Sequence, residues 1–80
     1  MNVTVRLFAS YADKLGRSRL ELEMPDSATV ADVTRSISSL PGAATLPPSP
    51  LVAVNCSYAD ARTSLSDGDE VAFIPPVAGG

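Results

Sequence analysis

The segment VTVRLFA sets Val3, Val5 and Leu7 in alternation with Thr4 and Arg6. A period of two sends alternate side chains to opposite faces, so this segment predicts a half-buried strand. SYADKLG follows. Ser10 can cap a helix, Asp13 lies three residues on and Gly16 can close it, which predicts one or two helical turns. RLELEM sets Leu20, Leu22 and Met24 against Arg19, Glu21 and Glu23, a second two-faced strand that Pro25 and Asp26 end. TVADVTRSISSL changes the period. Val30, Val33, Ile37 and Leu40 are spaced three and four apart and make one apolar stripe on a helix. Thr29 and Asp32 suit a box at its start, and Pro41 with Gly42 stops it.

The second half is punctuated by turns. PGAATLPPSP carries prolines at 47, 48 and 50 and predicts a loop without regular structure. LVAVN reads as a buried strand, and CSYA as a short strand returning from a turn near Asn55. Ser66, Asp67 and Gly68 supply another turn, and EVAFI is the last strand. The helix must cross the sheet to bury its stripe, which lets the first and last strands lie side by side in parallel. The expected fold is α+β, a ubiquitin-like β-grasp with a mixed sheet packed on one main helix. Residues 1–74 form the domain, and residues 75–80 form a flexible C-terminal tail that projects from the central strand.

Composition narrows the chemistry. A chain of 80 residues has room for one domain, which buries roughly 60% of its unfolded surface. No apolar run approaches the roughly 20 residues that span a bilayer, and the N-terminal segment lacks the pattern of a signal peptide. The expectation is a cytosolic protein with no membrane partner. A net charge of −3 without a basic run argues against a nucleic-acid partner. Cys56 is the sole cysteine, so no internal disulfide can form. There is no histidine, which excludes Ser-His-Asp and Cys-His pairs and the usual zinc sets. No metal, no permanently bound cofactor and no self-contained catalytic site are expected.

Alternation also marks a face that ought to be polar. With Val71 and Phe73 directed to the core, Ile74 points away. With Val3, Val5 and Leu7 in the core, Phe8 points the same way as Ile74. Phe8 and Ile74, joined by Tyr58 from the short strand, are expected to form an apolar partner-binding patch. Burying a Phe or an Ile gains about 1.5–3 kcal/mol. Tempting single residues are set aside. Nothing nearby in sequence activates Cys56, which reads as a small filler. Asp67, Asp69 and Glu70 read as a solvated turn ahead of a strand, and Asn55 as a turn residue that tolerates positive φ.

The chain ends FIPPVAGG. Pro75 and Pro76 donate no backbone hydrogen bond and end strand pairing. Gly79 and Gly80 have no Cβ and suit a channel too narrow for other residues. The reactive group offered is the carboxylate of Gly80. A carboxylate is a poor acyl donor until a mixed anhydride with AMP supplies a leaving group, after which a sulfur nucleophile can displace AMP and leave a thiocarboxylate. The run Gly68-Asp69-Glu70-Val71-Ala72, then Phe73-Ile74, then Pro75-Pro76-Val77-Ala78-Gly79-Gly80 resembles the C-terminus of the molybdopterin synthase small subunit, the MoaD-like sulfur carriers. LVAVN is similar to the family's A-V-N, and VRLFA and TVADV are similar in pattern. PGAATLPPSP departs from the family's compact loop.

The resemblance implies the following. Gly80 is adenylated by a ubiquitin-activating-like adenylyltransferase that consumes ATP, then thiocarboxylated. The tail, Pro75, Pro76, Val77, Ala78, Gly79 and Gly80, then enters the active site of the molybdopterin synthase large subunit. There sulfur passes to precursor Z (cyclic pyranopterin monophosphate), and the catalytic residues are the large subunit's. Phe8, Tyr58 and Ile74 fall where the family makes apolar contacts with partners. The alternatives that share this fold are a thiamine-pathway or other sulfur carrier, a ubiquitin-like protein modifier, and an interaction module whose tail is inert.

Overall fold

The computed structural model describes residues 1–47 and 50–75, and the sequence-predicted tail from Pro76 to Gly80 lies outside them. Along the chain come β1 (Asn2–Leu7), α1 (Ala9–Leu15), β2 (Arg19–Glu23), α2 (Val30–Ser38), a 3-10 turn (Ala43–Thr45), β3 (Leu51–Val54), β4 (Ser57–Ala59) and β5 (Glu70–Ile74). The strands form one mixed sheet in the order β2-β1-β5-β3-β4. β1 and β5 run parallel, with Val5 opposite Val71 and Leu7 opposite Phe73. The other pairs are antiparallel. This is the expected α+β β-grasp arrangement.

Periodicity decides which face is buried. Val3, Val5 and Leu7 of β1, Val71 and Phe73 of β5 and Val52 of β3 are all at most 2% exposed. They pack with Val30, Val33 and Ile37, the buried stripe of α2. Each such side chain contributes about 1.5–3 kcal/mol relative to exposure. Leu20 and Leu22 of β2 and Leu40 beyond α2 pack at the margin of this cluster.

α2 starts as its sequence requires. The Thr29 N–H donates to Asp32 Oδ2 at 2.9 Å, and the Thr29 hydroxyl lies 3.2 Å from the same oxygen. That ties an otherwise orphan donor at the helix start. The bond from the Thr29 N–H, assisted by Arg35 at 3.1 Å, holds the Asp32 carboxyl below its ordinary value despite some desolvation. A lowered folded value contributes stability above the ordinary carboxylate range, and that stability is lost as pH falls through the folded value. Asp32→Asn is therefore expected to unfold at lower urea than wild type near neutral pH. The gap narrows once pH falls below 3.8, which urea titrations on both sides of that point will measure.

Two local expectations are corrected. Ser10 does not cap α1. The cap position is Phe8, with extended backbone, and Ser10 lies exposed within the helix. The Phe8 carbonyl accepts from Tyr11 N–H at 3.0 Å and Ala12 N–H at 3.4 Å, and Tyr11 is 3% exposed. Anchoring Tyr11 in the core draws the helix start forward, and Ala9 takes φ 48° to turn the chain out of β1. Gly16 closes the helix in the left-handed region, as expected. The loop after α2 is also more regular than its prolines suggest. Ala43–Thr45 make a 3-10 turn with Ala43 buried. Pro41 and Pro47 flank that turn and leave its interior donors free.

Candidate functional site

The strand register builds a second surface on the side of the sheet away from α2. Val52 of β3 faces the core with Phe73, so Leu51 and Ala53 face outward with Ala72 and Ile74. Leu51 is the direct partner of Ile74, Ala53 pairs with Ala72, and Tyr58 of β4 pairs with Ala53. β1 adds Arg6 beside Ala72, and Phe8 follows Leu7, the partner of Phe73. Leu51 is 50%, Phe8 42% and Tyr58 74% exposed, and Ile74 is half-buried. Phe8, Ile74, Leu51 and Tyr58 therefore share an apolar outer face around the end of β5. Ala53 lies low between Ala72 and Tyr58 and is nearly covered.

Phe8 does not tuck under the short helix. The Arg6 guanidinium lies 5.5 Å from its ring centroid, a cation-π approach that keeps the ring on the outer face. Arg6 also reaches Glu70 at 3.5 Å. Pro75, half-buried, follows the last paired residue, Ile74. Gly79, Gly80, Pro76, Val77 and Ala78, expected from the sequence to belong to the site, lie outside the described residues.

Leu51 is the member that the sequence reading of LVAVN as a buried strand passed over. The signal was present: with Val52 and Val54 inward, alternation turns Leu51 outward. Cys56 corrects an expectation in the opposite sense. It is exposed, not a filler. Asn55 and Cys56 form the two-residue turn between β3 and β4, with φ of 49° and 71°, as tight hairpins require. The Asn55 amide also donates to Asp69 at 2.9 Å and accepts from the Glu70 N–H at 2.9 Å. This turn therefore lies beside the start of β5, the far end of the sheet from Ile74. β3 spans on the order of 13 Å between the two ends, so Cys56 is remote from Ile74 and Leu51.

Asp67 and Asp69 are occupied in shaping that same far end. Asp67 accepts from the Asn2 N–H at 2.7 Å, and Asp69 from the Ser66 N–H at 2.8 Å. A groove of about 610 Å³ lies on the helix side, between α2 and the β3–β4 edge, lined by Val30, Thr34, Arg35, Val52 and Asp60 among others. It opens on the other side of the sheet from the patch. Among the described residues, no group of three or more Cys, Asp and Glu side chains could hold a metal ion. None of their helices is long and apolar enough to cross a membrane.

Comparison with known proteins agrees with this architecture. The sequence matches the ThiS family over residues 5–80. The molybdopterin synthase sulfur carrier subunit of Drosophila yakuba is 31% identical over all of this chain and 92% of its own length. SAMP1 of Haloferax volcanii, a small archaeal modifier protein, superposes with a TM-score of 0.86 at 26% identity, covering 100% of both chains. A complex of subunits 1 and 2 of the molybdopterin-converting factor from Helicobacter pylori gives 0.75 at 23% identity over 100% of both chains, a likeness of fold. Matched from the second half of its first strand to its last glycine, and related along its full length to molybdopterin synthase sulfur carrier subunits, this chain belongs to the ThiS family.

Proposed function

We propose that this chain is the sulfur-carrying small subunit of a molybdopterin synthase. The observation that carries the reading is the full-length relationship to proteins of that name, joined to a C-terminal Pro-Pro-Val-Ala-Gly-Gly. Gly80 is adenylated by an ATP-consuming partner enzyme, with pyrophosphate leaving. A sulfur nucleophile then displaces AMP, and Gly80 becomes a thiocarboxylate. In the large subunit's active site the sulfur passes to precursor Z, and the carboxylate returns after hydrolysis. The chain itself supplies no acid, base or metal, in keeping with its lack of histidine.

The outer face of the sheet supports the partner half of this reading. Phe8, Leu51 and Tyr58 are large apolar side chains left exposed, and a partner that covers them recovers the burial free energy that folding left uncollected. Ile74 sits among them, next to the first tail residue. Ile74→Asp is expected to weaken binding to the large subunit by at least 100-fold, because the complex would bury an unpaired charge. Titration calorimetry measures the affinity, and a thermal melt of the free variant separates that loss from destabilisation. An affinity that does not move would put the interface elsewhere.

Intact mass tests the carrier chemistry. Chain isolated with its adenylating enzyme and a sulfur donor should contain molecules in which sulfur replaces one oxygen. The likeness to SAMP1 favours a second reading, a protein modifier. That reading predicts amide-linked adducts on lysines of other proteins instead of a carboxylate set free after sulfur transfer.

A further inference from the structure

Charge is unevenly placed along the strand axis. Four of the six cations, Arg6, Lys14, Arg17 and Arg19, belong to the end of the sheet where β5 finishes. Arg6 and Arg19 are register partners on the outer face. Arg17 precedes Ser18, whose carbonyl accepts from the Leu7 N–H at 2.9 Å. Lys14 closes the last turn of α1. The carboxylates placed among them are Asp13, Glu21 and Glu70. The opposite end carries Glu23, Asp26, Asp67 and Asp69, and its one cation among the described residues is the Met1 ammonium, 3.5 Å from Asp26. Arg6 and Arg19 are partly offset by Glu70 at 3.5 Å and Glu21 at 3.7 Å. Among the described residues, Lys14 and Arg17 are exposed and have no carboxylate within ion-pair distance.

We infer that this basic end is a docking rim for an acidic protein surface, one that surrounds the opening into which the tail passes. The inference rests on the carrier reading above, because it needs a partner that receives the C-terminus. A net-negative protein gains nothing by grouping its few cations at random, whereas grouping them at the working end orients the approach. A partner with carboxylates there attracts the tail end and repels the acidic far end. Such charge polarity acts mainly on the association rate. The rim is continuous with the apolar face through Arg6 and Phe8, so one partner surface can engage both. The four carboxylates at the far end disfavour a nucleic acid or an anionic membrane as the occupant.

The test is stopped-flow association of the full chain with its cognate adenylating enzyme and large subunit across a range of ionic strength. Wild type should associate faster at low salt. The Lys14→Glu/Arg17→Glu variant should associate on the order of 10-fold more slowly at low salt, with the gap closing as salt screens the charges. Dissociation should change little. Lys14→Gln/Arg17→Gln should fall between the two, and this milder pair, with a thermal melt, covers the case in which the reversal perturbs α1. Glu23→Gln, at the far end, should stay within about twofold of wild type. A salt-independent wild-type rate, or faster association of the reversed variant, overturns the rim and leaves the carrier reading standing. Wild-type chain that binds neither enzyme overturns both. Preferential binding of wild type to phosphatidylserine vesicles or to oligonucleotide overturns the choice of a protein partner.

Discussion

Gly80→Ala is expected to leave the fold intact and to reduce sulfur transfer on the order of 100-fold. Among the described residues, Phe73 is the last side chain of the core cluster and Ile74 the last residue paired in the sheet. The substitution alters none of the described residues, and the melting temperature is expected to match wild type. Under the proposed function, by contrast, the Gly80 carboxylate must reach an activating site through a passage that glycine fits because it lacks Cβ. Displacing a reacting atom by about 1 Å is enough for a loss of that size. Single-turnover transfer from chemically thiocarboxylated chain separates this effect from poor adenylation. Deleting Gly79 and Gly80 should abolish transfer outright. Transfer at the wild-type rate by either variant would remove the tail from the mechanism.

Gly42→Ala should produce the largest loss of stability of any single methyl addition considered. Gly42 sits at φ 89°, where L side chains are strained, and a Cβ there would overlap the backbone carbonyl oxygen of Lys14. Neither atom can move cheaply, because one belongs to the last turn of α1 and the other leads into the 3-10 turn that packs Ala43 inward. A cost of about 2–3 kcal/mol is expected, or a fall in melting temperature on the order of 10 °C for a domain of this size. Gly16→Ala is the control. Its φ of 76° carries the same kind of strain, but nothing lies within 4 Å of an added Cβ, so it should cost only about 1 kcal/mol. Equal melting temperatures for the two variants would show that the contact between Gly42 and Lys14 does not matter.

Gly42 also illustrates how far residue patterns reach. Its role as a helix stop is readable in the sequence, since it follows Pro41 at the end of an apolar stripe. Its closeness to Lys14 is not, because no local pattern says that the turn after α2 meets the end of α1. The same division holds for Asn55. Positive φ follows from its position between two strand-like runs, whereas its bonds to Asp69 and Glu70 depend on β3 and β5 lying side by side. Ser10 failed as a cap for a related reason: burying Tyr11 outweighed the local capping preference.

The sequence by itself determined the strands, the main helix, the inward and outward sides of each element, and the turns at Gly16 and Asn55. These follow from short-range periodicity, and from residue types whose backbone freedom does not depend on neighbours. Only the tertiary structure decided that Leu51 pairs with Ile74 to extend the apolar face, that Cys56 lies at the remote end, and that the cations gather where β5 ends. Each depends on register between segments far apart in the chain. Register is set by the packing of all strands on α2 together, a collective choice that no single segment carries.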